Sequence, residues 1–376
     1  MLSQDAHSSS RVRYFAALDV HRDTISSCLH DAKRRRTCDE REFSAHKPKS
    51  LIRFVESTRS NFGDFRSCYE ASFCGTALYE ALTALGVDCA IIAPGSIPRR
   101  SGDRIKTDRR DARKLAEYFA AGLLTECFVL DSGMRSARSL MRSREALMKN
   151  LHRSKMQAIH FLHGLGHCYN AGSYWTQKFT AWINNVELDH PNDEYVLRGH
   201  LEDISYTQAR IRDAEQQIRS ASEILRLREP IQILQGFRGI GLISAMQLVC
   251  EIGDFRRFER PSALMAYLGL VPSQRSSGNN IRSGSITKTG NTHVRKVLVS
   301  AAWKYVNPPR VSIALRERQK HCSARTVAIS QRAQKRLHKR YHALAKRKPP
   351  KVAVVALARE LVGFLWEAMQ TPVQTA

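Results

Sequence analysis

Four carboxylates stand where an acid needs a reason. Asp19 closes the apolar run YFAALDV (14–20), Glu70 closes DFRSCYE (64–70), and Asp108 and Asp111 open the helical pattern TDRRDARKLAEYFAAG (107–122). A carboxylate buried without a partner is costly, so each is either solvated or held by a cation. Asp108 and Asp111 are three apart, and at about 3.6 residues per turn they share one side of their helix. If all four converge, divalent cations relieve their mutual repulsion, and oxygen donors suit hard Mg²⁺. Two such ions held about 4 Å apart activate an attacking oxygen and stabilise a leaving one, as phosphodiester chemistry requires. Taken singly, each acid has an ordinary use: Asp108 as a helix cap, Asp111 beside neighbouring arginines, Glu70 in solvent, Asp19 in a turn.

Convergence depends on the elements that carry these residues. YFAALDV, TISSCLH (24–30) and RTCDEREF (36–43) form a strand meander around the charged turn DAKRRR. SLIRFVESTRSNF (50–62) has amphipathic helical spacing, DFRSCYE is a fourth strand, GTALYEALTAL (75–85) a helix and VDCAIIA (87–93) a fifth strand. The helix at 107–122 follows, and TECFVLD adds a short strand. The order βββαβαβα predicts an α/β, ribonuclease-H-like (RuvC-like) domain over residues 1–131, with the first and fourth strands adjacent and Asp19 facing Glu70.

Residues 132–230 read as two long helices around an aromatic stretch. Ile204, Ile211, Ile218 and Leu225 recur every seven positions, the seam of a coiled coil or of a plain helical hairpin. Arg135, Arg138, Arg142, Lys149 and Arg153 share one helical face, either solvated or set against phosphates. Residues 231–376 read as a mostly helical domain: GFRGIGLISA as a turn between helices, then a helix, a Gly/Ser/Asn-rich loop and a helix over 264–303, and a last helix at 351–369.

The net charge of +25 is unevenly spread, since residues 271–376 hold 21 Lys and Arg against 3 acids, which points to a polyanionic partner. Nine cysteines without a CxxC pair suit free thiols in a reducing cytoplasm. No signal-peptide pattern and no apolar run of about 18 residues is present, so no membrane partner is expected.

The words ALDVHR (17–22), CYEAS (68–72) and KTDRRDA (106–112), with GIGLISA, YLGLVPSQRSSG and GSITKTGNTHVRKVL, resemble the DEDD transposases of insertion-sequence family one-ten, some of them bridge-RNA-guided recombinases. Two departures are Arg22, where the family usually has Lys, and Arg238, where it commonly has Pro. The resemblance implies a DNA transposase whose carboxylates bind Mg²⁺ and whose loop serine, Ser277 or its neighbour Ser276, forms a covalent link to DNA. It further implies that Arg275, Arg282, Lys288, Arg295 and Lys296 hold DNA phosphates, that a noncoding bridge RNA reads donor and target, and that the chain works as a homo-oligomer (dimer or tetramer) joined through 132–230 in the bacterial cytoplasm, on the nucleoid. The competing reading is a ribonuclease-H-like nuclease or junction resolvase in which water attacks.

Overall fold

In a computed structural model, residues 12–98, 108–277 and 280–370 are described. The chain divides into two compact units, residues 1–129 and 130–376.

In the first unit, β1 (Tyr14–Val20), β2 (Thr24–Asp31), β3 (Arg36–Ser44), α1 (Pro48–Phe62), β4 (Phe65–Glu70), α2 (Ala77–Ala84), β5 (Asp88–Ile92) and α3 (Asp108–Ala120) follow the expected order. The sheet runs β3-β2-β1-β4-β5, antiparallel through β3, β2 and β1 and parallel from β1 to β4 and β5. This is the ribonuclease-H-like arrangement. β1 is apolar almost throughout because both of its faces are covered. Ala16 and Leu18 pack with Phe54, Val55, Leu78 and Leu82 of α1 and α2, whereas Phe15 and Ala17 pack with Ala112, Leu115, Ala116 and Phe119 of α3. Where TECFVLD was expected to add a strand, one isolated bridge joins Ile92 and Glu126. At the strand turn, Arg13 binds the buried Asp31 carboxylate, whose Oδ1 also accepts the Lys33 and Arg34 N–H groups at 2.9 and 3.0 Å.

The second unit contains α4 (Ser132–Gly164), α5 (Gln177–Asn184), α6 (Pro191–Ser222), α7 (Leu225–Gln235), α8 (Leu242–Ile252), α9 (Pro261–Tyr267), β6 (Pro272–Ser277), β7 (Asn280–Ile286), α10 (Thr292–Ala302), α11 (Ile313–Gln319), α12 (Ala324–Ala345) and α13 (Pro350–Met369). α4 and α6 form an antiparallel hairpin: Arg144 bonds Glu215 near one end, and Phe161 meets His200 toward the other. Ile204, Ile211 and Ile218 are buried. The heptad seam is thus covered within the chain. The boundary expected at residue 230 falls inside α7, and Ala137, Met141 and Ile218 share one core with α8, α10, α12 and α13.

The three acids of the basic stretch are used internally. Glu360 and Glu367 pair with Arg336 and Arg332 across α12 and α13, and Glu317 pairs with Lys320. None remains to neutralise Lys335, Lys339, Lys346, Arg347 and Lys348 on the same side of the sequence. A surplus of positive charge of this size suits a polyanionic partner.

Candidate active site

The β1–β4 register builds one end of the carboxylate group. Leu18 stands opposite Tyr69 in the parallel ladder, so the next residues, Asp19 and Glu70, lie side by side at the strand ends. Side chains alternate along a strand. Phe15 and Ala17 of β1 and Cys68 of β4 face α3, which puts Asp19 and Glu70 on the α3 face as well.

The helix runs back toward them. Phe119, near the end of α3, meets Phe15 edge-on at 5.6 Å and lies under the Arg66 guanidinium. Asp111 precedes Phe119 by eight residues, about 12 Å of helix, and Asp19 follows Phe15 by four, about 13 Å of strand. α3 therefore carries Asp111, half-buried, to the level of Asp19 and Glu70. Asp108 is the first residue of α3, and its side chain lies outside the described residues. Near this end His21 Nε2 is 3.3 Å from Asp19 Oδ2, and Glu70 is exposed. Among the described residues no three His, Cys, Asp or Glu side chains gather as a metal site. The carboxylates fit a hard divalent cation in donor type and in the end of the sheet they occupy, while the described three do not close a site alone.

Ser276 and Ser277 occupy β6 of a two-stranded ribbon where sequence reasoning expected a loop. Pro272 pairs with Ile286 at the base and Ser277 with Asn280 at the tip, so the serines stand up to about 17 Å out along the ribbon. Arg275 is opposite Arg282 in the register; the side chains at 275–277 and 282 lie outside the described residues. The base is tightly built. Gly269 and Gly290 have φ of +65° and +74°, and an added Cβ would lie 2.1 Å from the Thr289 carbonyl oxygen and 2.0 Å from that of Tyr267. Only glycine fits there. Arg295 Nη1 donates to the Leu268 and Thr289 carbonyls at 3.1 and 2.6 Å, pinning both legs of the ribbon. Lys296 reaches Glu145 at 3.4 Å, and Lys288 is exposed. Of the five expected phosphate contacts, Arg295 and Lys296 thus have internal partners.

Beneath the ribbon lies a polar network that sequence reasoning missed. Glu251, with a fully buried side chain, accepts from Arg142 Nε and Nη2 at 2.8 and 2.9 Å and from Asn291 Nδ2 at 2.7 Å. Asn291 Oδ1 in turn caps α10, accepting from the His293 and Val294 N–H groups at 2.9 and 3.2 Å. Glu145 pairs with His293 Nδ1. Burial pushes both carboxyls up, but Arg142 and Asn291 at Glu251, and His293 with two lysines at Glu145, more than offset it and hold both below the usual carboxylate range. Of the arginine stripe of α4, Arg142 is committed to Glu251 and Arg135 to the Leu130 carbonyl, while Lys149 and Arg153 are exposed. All nine cysteines are free, and burial pushes the Cys250 thiol up to about 12, away from nucleophilic use.

The chain matches two family models. Residues 16–166 match that of the DEDD transposases of the IS110 type, and residues 231–313 match that described as the transposase IS116/IS110/IS902 family. A putative transposase, y4qE, of Sinorhizobium fredii is 36% identical over 326 residues, covering 85% of this chain and 80% of that protein. The transposase for insertion sequence element IS1533 of Leptospira borgpetersenii is 27% identical over 338 residues, covering 88% and 96%. A probable family 20 transposase of Pseudomonas aeruginosa is 29% identical over 304 residues, covering 78% and 81%. The chain belongs to the IS110 family of transposases.

As an IS110-family transposase it binds DNA and belongs to a class that cuts and transfers strands, and DEDD transposases work with divalent metal ions. The first match contains Asp19, Glu70, Asp108 and Asp111, and the second contains the serine ribbon and Asn291. Arg238 donates to the Asn307 and Pro308 carbonyls at 3.3 and 2.8 Å and so ties the α7–α8 turn to the segment after α10. Among the described residues of this transposase no helix is long and apolar enough to cross a membrane.

Proposed function

We propose that this IS110-family transposase holds Mg²⁺ with Asp19, Glu70, Asp108 and Asp111 and cuts DNA with Ser277 as nucleophile, Ser276 being its alternative. The observation that carries the reading is the parallel β1–β4 register with Asp19 beside Glu70 on the face covered by α3. The serine attack is supported by the resemblance and by the protruding ribbon that bears the residue. Ser277 Oγ loses its proton as it bonds to phosphorus, and the P–O bond to the leaving sugar oxygen breaks, with that oxygen taking up a proton. A hydroxyl of a second strand then attacks the phosphoserine diester, restoring the serine and joining the strands. A bound divalent ion would lower the cost of charge on the phosphate oxygens.

A lone two-stranded ribbon is marginal in water, so contact with DNA would order it, with Arg275, Arg282 and Lys288 on the backbone. A homo-oligomer, dimer or tetramer, would let one copy's ribbon serve the carboxylates of another. A structured noncoding RNA paired with donor and target would supply the sequence reading that backbone contacts lack. The nucleoid is where such a protein would work.

The test is a denaturing gel of the full chain with labelled, nicked DNA and Mg²⁺. The reading expects a covalent protein–DNA band that Ser277→Ala abolishes and Ser276→Ala retains. Free cleaved ends without any protein-bound band would instead assign the attack to water.

A further inference from the structure

The aromatic stretch between α4 and α6 builds more than a packed turn. Phe179, Ile183 and Tyr169 form its buried centre, with Ile159 and Leu162 of α4 and Leu197 of α6. Beside that centre opens a cleft of about 310 Å³. Its α4 wall is His152, Lys155, Met156, Ile159, His160 and His163, and its other wall is Tyr174 and Trp175. No carboxylate lines it. Trp175 is held at φ +64°, a backbone region that a bulky residue adopts only when its surroundings impose it. The result is an indole set toward α4, with the Lys155 ammonium 4.9 Å from the ring centroid. Tyr174 stands next to it, its hydroxyl 3.3 Å from His163 Nε2.

A core needs neither the strained backbone nor a lysine over the indole face. Flat aromatic faces next to cationic side chains, with no acid among them, are what single-stranded nucleic acid binds: a base stacks on the ring and its phosphate meets the charge. The volume is at the small end of ligand sites, enough for one nucleotide and too narrow for a duplex. Lys155 has a flexible stem, so its ammonium can leave the indole face for a phosphate as a base takes its place.

We propose that the cleft between α4 and the Tyr174–Trp175 segment binds one unpaired nucleotide of a single strand, its base on Trp175 and Tyr174 and its phosphate on Lys155, His152 and His160. The site is separate from strand cleavage and requires neither Ser277 nor the carboxylates.

The experiment uses the full chain and a mixed-sequence single strand of DNA, and the same strand of RNA, each carrying one 2-aminopurine, with the matching DNA duplex as control. Binding should quench the 2-aminopurine in at least one of the two single strands, and the stronger of them identifies the natural source. Trp175→Leu and Lys155→Gln should each weaken that single-strand binding by roughly ten-fold and leave duplex binding within about two-fold. Lys155→Gln keeps the test valid if loss of the indole loosens the packing on Phe179. Single-strand affinity unchanged in Lys155→Gln, duplex affinity falling in parallel, or no quenching in either strand overturns the proposal.

Discussion

Asn291 does two separable jobs, and substitution should separate them. Its Oδ1 caps α10, and its Nδ2 donates to the buried Glu251 carboxylate at 2.7 Å. Loss of a cap costs about 1 kcal/mol, and loss of a hydrogen bond to a charged group about 1.5–3 kcal/mol. Asn291→Ala should therefore destabilise the second unit by about 2.5–4 kcal/mol, and Asn291→Ser, which can still cap, by only about 1.5–3 kcal/mol. Asn291→Asp keeps the cap but turns a carboxylate toward Glu251, so it should be the worst of the three at neutral pH and recover in mild acid as the pair takes up a proton. All four tryptophans lie in the second unit, so urea unfolding followed by tryptophan fluorescence reports that unit alone. Serine and alanine variants of equal stability would refute the division of labour. So would an aspartate variant as stable as the wild type at pH 7.

Further outcomes follow from the same contacts. The lowered Glu251 and Glu145 carboxyls stabilise the second unit above the ordinary glutamate value of about 4.3, and that contribution is lost as pH falls below it. A thermal-melting series should show the loss, and Glu251→Gln should flatten the profile. Gly290→Ala places a Cβ 2.0 Å from the Tyr267 carbonyl at a positive φ, so it should cost more than about 2 kcal/mol in urea unfolding. Arg332→Ala removes an exposed pair with Glu367 and should cost less than about 1 kcal/mol in the same assay.

Much of the first unit is legible because burial on both faces writes unbroken apolar runs. β1 and β5 are such runs, and an acid ending a run marks the strand tip. Glu251 carries the same mark, a charge inside the apolar LISAMQLVCEIG, which flags a buried carboxylate in need of a partner. Its partner could not be named, because Arg142 is 109 residues away and belongs to another helix. The β6–β7 ribbon is illegible for a different reason. Its strands, PSQRSS and NIRSGSI, are almost wholly polar, so no alternation of apolar residues announces them. The heptad of α6 shows its periodicity plainly, but periodicity does not say whether the partner helix belongs to the same chain.

Central to the proposed function is that the acids at the strand tips act together on a cation. The most direct measurement is Mn²⁺ binding to the full chain, followed by electron paramagnetic resonance as free ion disappears. Binding should be saturable, displaced by Mg²⁺, and weakened by at least about ten-fold in each of Asp19→Asn, Glu70→Gln and Asp111→Asn while the fold persists. Binding of equal strength in all three variants, or none in the wild type, would contradict that joint action.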